Sequence, residues 1–351
     1  MSWEEKVRKV EPYVPGEQPK FTDMVKLNTN ECPYPPSPMV EQELKLMNAQ
    51  ELRLYPDPEA SELANALAAY YHTDSNRVFV GVGSDDVISQ IFLTFFTNGQ
   101  PLLFPEITYS FYEVWANLYR IPFQKLKLTE DWHLDGFTDP DVKAGGIIFA
   151  NPNAPTGIYE PVSYVEEVLK AHPDCVVVAD EAYVDFGAKS ALPLTEKYDN
   201  LLVVQTFSKS RAMAGMRIGF AIGNEKLISY LKAVKYSINS YTMNTTSIRL
   251  GLATVRDDAY FKSIVDRIVE TREWFKQEMA ALGFSFPDSM ANFVFVRHNR
   301  VGGKELYELL RTQNIFVRHF GDPLIDDYLR ITIGTREQME RLLDFLRVYL
   351  G

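Results

Sequence analysis

The chain has 351 residues, 46% of them hydrophobic, and a formal net charge of −11. That length suggests two domains, or one large domain with a smaller partner. An acidic balance of this size repels nucleic acid and anionic lipid, so neither is an expected partner.

Proline dominates the first forty residues, at Pro12, Pro15, Pro19, Pro33, Pro35, Pro36 and Pro38. Proline removes amide donors and disfavours helix, so residues 1–40 read as an extended arm. Helical spacing follows at Met39 to Asn48 and Ser61 to Tyr71. From Arg77 strands and helices alternate. Val78 to Val82 reads as a buried strand and Asp85 to Thr97 as a helix. Further strands are expected at Leu102 to Phe104, Phe123 to Leu128, Gly146 to Ala150, Val176 to Ala179, Leu201 to Thr206 and Arg217 to Ile222. Helices are expected between several of them, notably at Tyr109 to Tyr119 and Pro161 to Ala171. This alternation implies a mostly parallel sheet covered on both faces, spanning residues 41–240. After about residue 240 the texture changes. Long helices over Thr246 to Leu282, strands at Phe293 to Val296 and Leu329 to Ile333, and helices at Gly303 to Thr312 and Thr335 to Leu350 suggest a smaller α+β domain, 241–351.

The two cysteines, Cys32 and Cys175, form no CxxC pair and no metal-ligand spacing. Cys175 opens an apolar run and reads as a reduced core thiol. Met1 to Val7 contains no apolar stretch of the signal-peptide kind, and no run approaches the ~18 apolar residues of a membrane span. A reducing cytoplasm is the expected compartment.

Four segments near strand ends carry candidate chemistry, because ligands of open α/β sheets gather outside the carboxyl ends of strands. Thr206-Phe207-Ser208-Lys209 follows a buried strand, with Arg217 eight positions beyond the lysine. Hydroxyls and a guanidinium suit a phosphate, and a neighbouring lysine suits an imine with an aldehyde. Asp180 ends an apolar run, where a carboxylate is costly unless paired; a protonated ring nitrogen would pair it. Gly83-Ser84-Asp85 turns from strand into helix, where backbone amides favour a phosphate or the segment simply caps the helix. Asn151-Pro152-Asn153-Ala154-Pro155-Thr156-Gly157 is a rigid turn.

Taken in order, these segments resemble the class I/II aminotransferases of pyridoxal-phosphate fold type I, from about residue 26 to the C-terminus. The resemblance implies an α/β fold: a large domain with a mostly parallel mixed sheet flanked by helices, and a smaller C-terminal α+β domain. It implies that Lys209 carries pyridoxal 5'-phosphate as a Schiff base, Asp180 holds the ring nitrogen, and Tyr183 contacts the phenolic oxygen. Tyr109 stacks on the ring. Gly83, Ser84, Asp85, Thr206, Ser208 and Arg217 surround the phosphate, and Asn153 lies in the cofactor turn. Tyr55 reaches the phosphate of the other subunit's cofactor, making the active unit a homodimer.

Within the family, Leu27 to Glu31, Leu54 to Pro58 and Tyr328 to Gly334 are most similar to members that act on histidinol phosphate. In that case Arg318 and Arg330 bind substrate anions, and Tyr13, Asn28 and Asn30 help line the substrate site. An aromatic-amino-acid aminotransferase and a threonine-phosphate decarboxylase remain open on the same scaffold, since the arginines suit any anionic substrate. A non-catalytic relative would be expected to carry a second, often DNA-binding domain, for which 351 residues leave no room, and this chain keeps the lysine; a dinucleotide-binding sheet would carry a GxGxxG after its first strand, which is missing here. The family often has asparagine where this chain has Ala154, its amide supporting the phenolic oxygen. The turn ends in Asp86 where glutamate is common, and Pro105 to Tyr109 is one residue longer than usual.

Overall fold

The computed structural model describes residues 2–20 and 23–351. After a single helical turn at Trp3–Lys6, residues 7–20 form no helix or strand, and a short strand, β1 (Val25–Lys26), opens the next described segment. Ser37 then caps α1 (Pro38–Leu46), its hydroxyl accepting from the Met39 amide, with Pro38 at the position where a missing N–H costs nothing. Helix α2 (Ser61–Tyr70) buries Leu63, Ala64, Leu67 and Ala68.

The large sheet comprises β2 (Val78–Gly81), β3 (Leu102–Pro105), β4 (Phe123–Leu126), β5 (Gly146–Ala150), β6 (Val177–Asp180), β7 (Leu201–Thr206) and β8 (Gly219–Gly223), in the order β2-β8-β7-β6-β5-β3-β4. Strand β8 is antiparallel to both neighbours; the other pairings are parallel. Every residue of β5, β6 and β7 is buried, as expected of strands covered on both faces. Helices α3 (Ser84–Phe95), α4 (Phe111–Tyr119), α5 (Val162–Ala171) and α6 (Glu225–Ile238) supply that cover. In α3, Val87, Ile88, Ile91 and Phe92 form the inward stripe, while Asp85 and Asp86 in the first turn suit the positive end of the helix.

The alternation stops near residue 240, but the large core does not. Helix α7 (Thr245–Arg256) buries Ile248, Leu250, Ala253 and Val255 against Leu63, Val78 and Phe220. The smaller core is built from α8 (Asp258–Ala281), β9 (Phe284–Ser285), β10 (Phe293–His298), α9 (Gly303–Thr312), β11 (Ile315–Phe316), β12 (Arg318–His319), β13 (Leu329–Thr332) and α10 (Arg336–Leu350). A four-stranded sheet runs β12-β13-β10-β9, and β1 of the arm pairs in parallel with β11. Val25 and Leu27 are buried in this smaller core, so the end of the arm is tied to it. That attachment carries residues 28–31 across the mouth of the large sheet. Among the described residues, no helix is long and apolar enough to cross a membrane.

Candidate active site

Strand β2 runs into α3 through Gly83, whose φ of 86° is a conformation that glycine adopts without strain. A Cβ at Gly83 would press on Arg217 Nη2, so the turn and the guanidinium are in close contact. Arg217 Nη2 pairs with Asp85 Oδ2 at 3.0 Å, and its Nη1 donates to Ser208 Oγ at 3.4 Å. The Ser208 amide donates to Thr206 Oγ1 at 3.1 Å. Amides of a first helical turn have no partner within the helix. The start of α3, two hydroxyls and Arg217 therefore form a cup suited to a phosphate.

Asp180 closes β6, buried at 4% exposure. Its Oδ2 accepts from Tyr112 Oη at 2.6 Å and its Oδ1 from the Ala182 amide at 3.2 Å. Burial pushes its carboxyl up to about 6, although the Tyr112 hydroxyl, the Ala182 amide and the Lys209 charge all pull it down. Tyr112 stands three residues beyond Tyr109, with the two rings perpendicular and centroids 5.7 Å apart. Tyr109 Oη donates to Asp85 Oδ1 at 2.9 Å, and burial raises its hydroxyl well above the ordinary value.

Lys209 follows β7. Its Nζ donates to the Thr29 carbonyl at 3.3 Å and stands 5.8 Å from the Tyr183 ring centroid. Thr29, Tyr109, Ala154, Tyr183 and Lys209 line two adjoining chambers at once. The first, about 180 Å³, also has Ser84, Asp85, Asp180, Thr206, Ser208 and Arg217 in its wall. The second, about 170 Å³, is completed by Tyr13, Asn28, Asn30, Phe320, Arg318 and Arg330 among others. One amine thus borders both a phosphate-and-carboxylate chamber and an arginine-lined one.

In the second chamber Arg330 Nη2 donates to the Asn28 carbonyl at 3.1 Å, while its buried Nε has no hydrogen-bond partner among the described residues. Burial draws this guanidinium below its ordinary value, and the charge of Arg318 adds to the effect. A buried donor left over beside a second cation is a demand for an anion. Tyr13 stacks on Phe111 at 4.1 Å, and Asn28 Nδ2 donates to the Glu17 carbonyl at 2.7 Å.

Three of the residues singled out from sequence do not join these walls: Gly83, which lies against Arg217, and Asn153 and Tyr55. The Asn153 amide is consumed by other partners: Nδ2 donates to Ile107 O at 3.0 Å and to Thr156 Oγ1 at 3.1 Å, and Oδ1 accepts from Thr108 Oγ1 at 2.8 Å. Ala154 faces the cavity in its place. Tyr55 is 82% exposed and stacks on Tyr241, away from both chambers of its own chain. Conversely, Tyr112, Thr29 and Glu31 were not picked out from sequence. Tyr112 could have been found from its place at the start of α4, three residues beyond Tyr109, and the other two from lying beside Asn28 and Asn30. Burial would raise the Glu31 carboxyl, but hydrogen bonds from Lys26 at 2.5 Å and Thr29 at 2.8 Å hold it below the usual range.

The family model for aminotransferase class I and II matches residues 22–346. The chain is 47% identical over 350 residues to a histidinol-phosphate aminotransferase of Lactococcus lactis subsp. cremoris, covering 100% of this chain and 98% of that one. It is 46% identical over 344 residues to one from Brachyspira hyodysenteriae, covering 98% and 97%. Among solved structures, histidinol-phosphate aminotransferase from Sinorhizobium meliloti in complex with pyridoxal-5'-phosphate superposes with a TM-score of 0.83 at 23% identity, over 93% and 90% of the two chains. L-threonine-O-3-phosphate decarboxylase from Porphyromonas gingivalis superposes with a TM-score of 0.79 at 22% identity, over 93% and 99%. These two structures share the fold. With its whole length matched, and with Asp180 and Lys209 at and just beyond the carboxyl ends of parallel strands, lining adjoining chambers with Arg217, Arg318 and Arg330, the chain belongs to the class I and II aminotransferases.

Proposed function

We propose that the enzyme transfers an amino group between histidinol phosphate and 2-oxoglutarate, giving imidazole acetol phosphate and glutamate, with pyridoxal 5'-phosphate held in the first chamber. The single observation that carries this reading is the wall formed by Lys209 between a chamber ending in Asp180 and a chamber ending in Arg330.

The residues present fit that cofactor. Asp180 is a buried carboxylate that forms no ion pair with a side chain among the described residues, which suits a protonated ring nitrogen. Arg217, Ser208, Thr206 and the start of α3 would hold the phosphate, and Tyr109 and Tyr183 would border the ring. When bound, the cofactor supplies an aldehyde carbon for the amine and a cationic ring that withdraws electrons from the substrate Cα–H bond. The Lys209 amine borders both chambers, so it is the base for the Cα proton. Arg330 and Arg318 orient the substrate by its anionic end. A planar guanidinium fork accepts a phosphate or a carboxylate, so the same pair serves both substrates in turn. The identities of 47% and 46% over nearly the full length of two histidinol-phosphate aminotransferases support this choice of donor over the decarboxylase.

The same reading makes the active unit a homodimer. The exposed Tyr55 is then free to serve the neighbouring subunit. The two free cysteines suit a reducing cytoplasm.

An absorbance scan and a substrate panel test the proposal. The loaded protein should show a visible-edge band that Lys209→Ala lacks. Histidinol phosphate with 2-oxoglutarate should yield glutamate far faster than phenylalanine or tyrosine does. Carbon dioxide release from threonine phosphate, or equal rates with the aromatic amino acids, would overturn the assignment.

A further inference from the structure

Ala154 brings only a methyl group to the place where an amide would help hold the phenolic oxygen of the cofactor. We infer that a hydrogen-bonded relay, Thr332 to Asn30 to Tyr183, takes over by forcing the Tyr183 hydroxyl to act as a donor toward that oxygen. The inference rests on the cofactor reading above and adds two positioning residues to it.

The geometry is closed at each link. Asn30 has a φ of 56° and is 1% exposed; Thr332 is 2% exposed at the end of β13. The Asn30 backbone N–H donates to Thr332 Oγ1 at 3.0 Å. That hydroxyl therefore receives one proton and must place its own, and Asn30 Oδ1 lies 3.1 Å away to accept it. With Oδ1 committed, the Asn30 amide has one orientation, and Nδ2 donates to Tyr183 Oη at 2.8 Å. A phenol that accepts along this direction has its proton free for another acceptor. The reverse amide orientation would bury the Thr332 proton without that acceptor and turn Tyr183 into a donor to Asn30. Asn292 Nδ2 donates to the Asn30 carbonyl at 3.0 Å, and Phe293 packs edge-on against the Tyr183 ring with centroids 5.1 Å apart, so both ends are fixed.

The relay joins the smaller domain (Thr332), the arm (Asn30) and the large domain (Tyr183). Its chemical effect falls on the phenolic oxygen. While the lysine–cofactor nitrogen keeps its proton, that proton shares the oxygen's negative charge. Once it leaves, the oxygen depends on outside donors. A directed Tyr183 hydroxyl therefore favours the deprotonated form and lowers the pH at which the visible band titrates.

The test is a pH titration of that band in cofactor-loaded protein without substrate. In Thr332→Val the midpoint should rise by about half to one pH unit, the worth of one neutral hydrogen bond. Thr332→Ser should restore it, and Ala154→Asn introduced into Thr332→Val should lower it again by supplying a second amide. Tyr183→Phe should raise the midpoint by itself, and adding Thr332→Val to it should change nothing further. An unmoved midpoint in Thr332→Val, or an equal shift in the Tyr183→Phe background, would overturn the relay while leaving the cofactor reading intact. Absence of any band dependent on Lys209 would overturn the cofactor reading, and the relay with it.

Discussion

Tyr112 Oη lies 2.6 Å from Asp180 Oδ2, with both side chains sealed from solvent. The hydroxyl offsets part of the cost of a buried carboxylate and leaves the remaining lone pairs for a ring nitrogen. Asp180→Asn removes the charge that keeps a ring cationic and should lower kcat by about 10³-fold, in line with the loss of a preorganised electrostatic partner. Tyr112→Phe should lower it by about 10- to 100-fold, the worth of one hydrogen bond to a charged group. The two losses should not add, because the hydroxyl acts only through the carboxylate. Steady-state kinetics of the two single variants and the double variant check this. Equal effects of Tyr112→Phe with and without Asp180 would show that the tyrosine acts elsewhere.

Arg330 should govern substrate affinity. Its Nε is buried without a hydrogen-bond partner among the described residues, and Phe293 and Phe320 face its guanidinium at 5.4 and 5.7 Å. Arg330→Lys keeps a positive charge but loses the planar fork and its contact with the rings. KM for both the phosphate-bearing donor and 2-oxoglutarate should rise by about 10- to 100-fold, with a smaller change in kcat. Arg318→Ala should raise both by less. Separate KM measurements for the two substrates decide the matter, and a change confined to one would mean that the two anions do not share the site.

Much of this was legible because local chemistry and strand period agreed. Val176 to Ala179 reads as a buried strand with Asp180 at its end, and such a charge needs a partner wherever the strand ends. The stretch from Thr206 to Lys209 reads the same way. The turn from Asn151 to Gly157 has no period, so nothing in it tells which of two adjacent side chains faces the cavity. The answer came from Thr108 and Ile107, more than forty residues away, which claim the Asn153 amide. Thr332 was likewise hidden: a threonine in a strand reads as an ordinary β-former, and its partner Asn30 lies 302 residues earlier. Helix α7 looked like part of the smaller domain because its neighbours in sequence are helices, whereas its apolar face packs on α1 and α2.

Stability should depend on pH through Glu181. This carboxyl is buried and accepts from Ser190 Oγ at 2.5 Å, Ala191 N at 2.6 Å and Gln205 Nε2 at 2.9 Å, yet burial still pushes it up to about 7. Because the folded value lies above the unfolded one, the folded state binds more protons between about pH 4.5 and pH 7. Its contribution is therefore fully present below that window and is lost as pH rises through it. Glu181→Gln keeps an acceptor for the Ala191 amide and cannot ionise. The Tm of the variant minus that of the parent should grow as pH rises across the window, by about 2 °C per pH unit, and stay flat above it. Thermal scans of the cofactor-free proteins measure this, and a difference independent of pH would rule out Glu181 as the source.

Gly83 should matter for the cofactor beyond the strain of its backbone. At φ 86° and ψ 164° it occupies a region that side chains avoid, and an added Cβ would press on Arg217 Nη2. Gly99 offers a control: its φ is 80°, but an added Cβ would meet nothing within 4 Å among the described residues. Gly83→Ala and Gly99→Ala should both lower Tm, each carrying about 1–3 kcal/mol of backbone strain. Only Gly83→Ala also displaces the guanidinium from Asp85 and from the phosphate cup. Titration of cofactor-free protein with pyridoxal phosphate should then give a Kd raised by about tenfold or more for Gly83→Ala, the loss of one charge-assisted contact, and an unchanged Kd for Gly99→Ala. If the two variants bind alike, Arg217 does not hold the phosphate, and the start of α3 must do so by its amides alone.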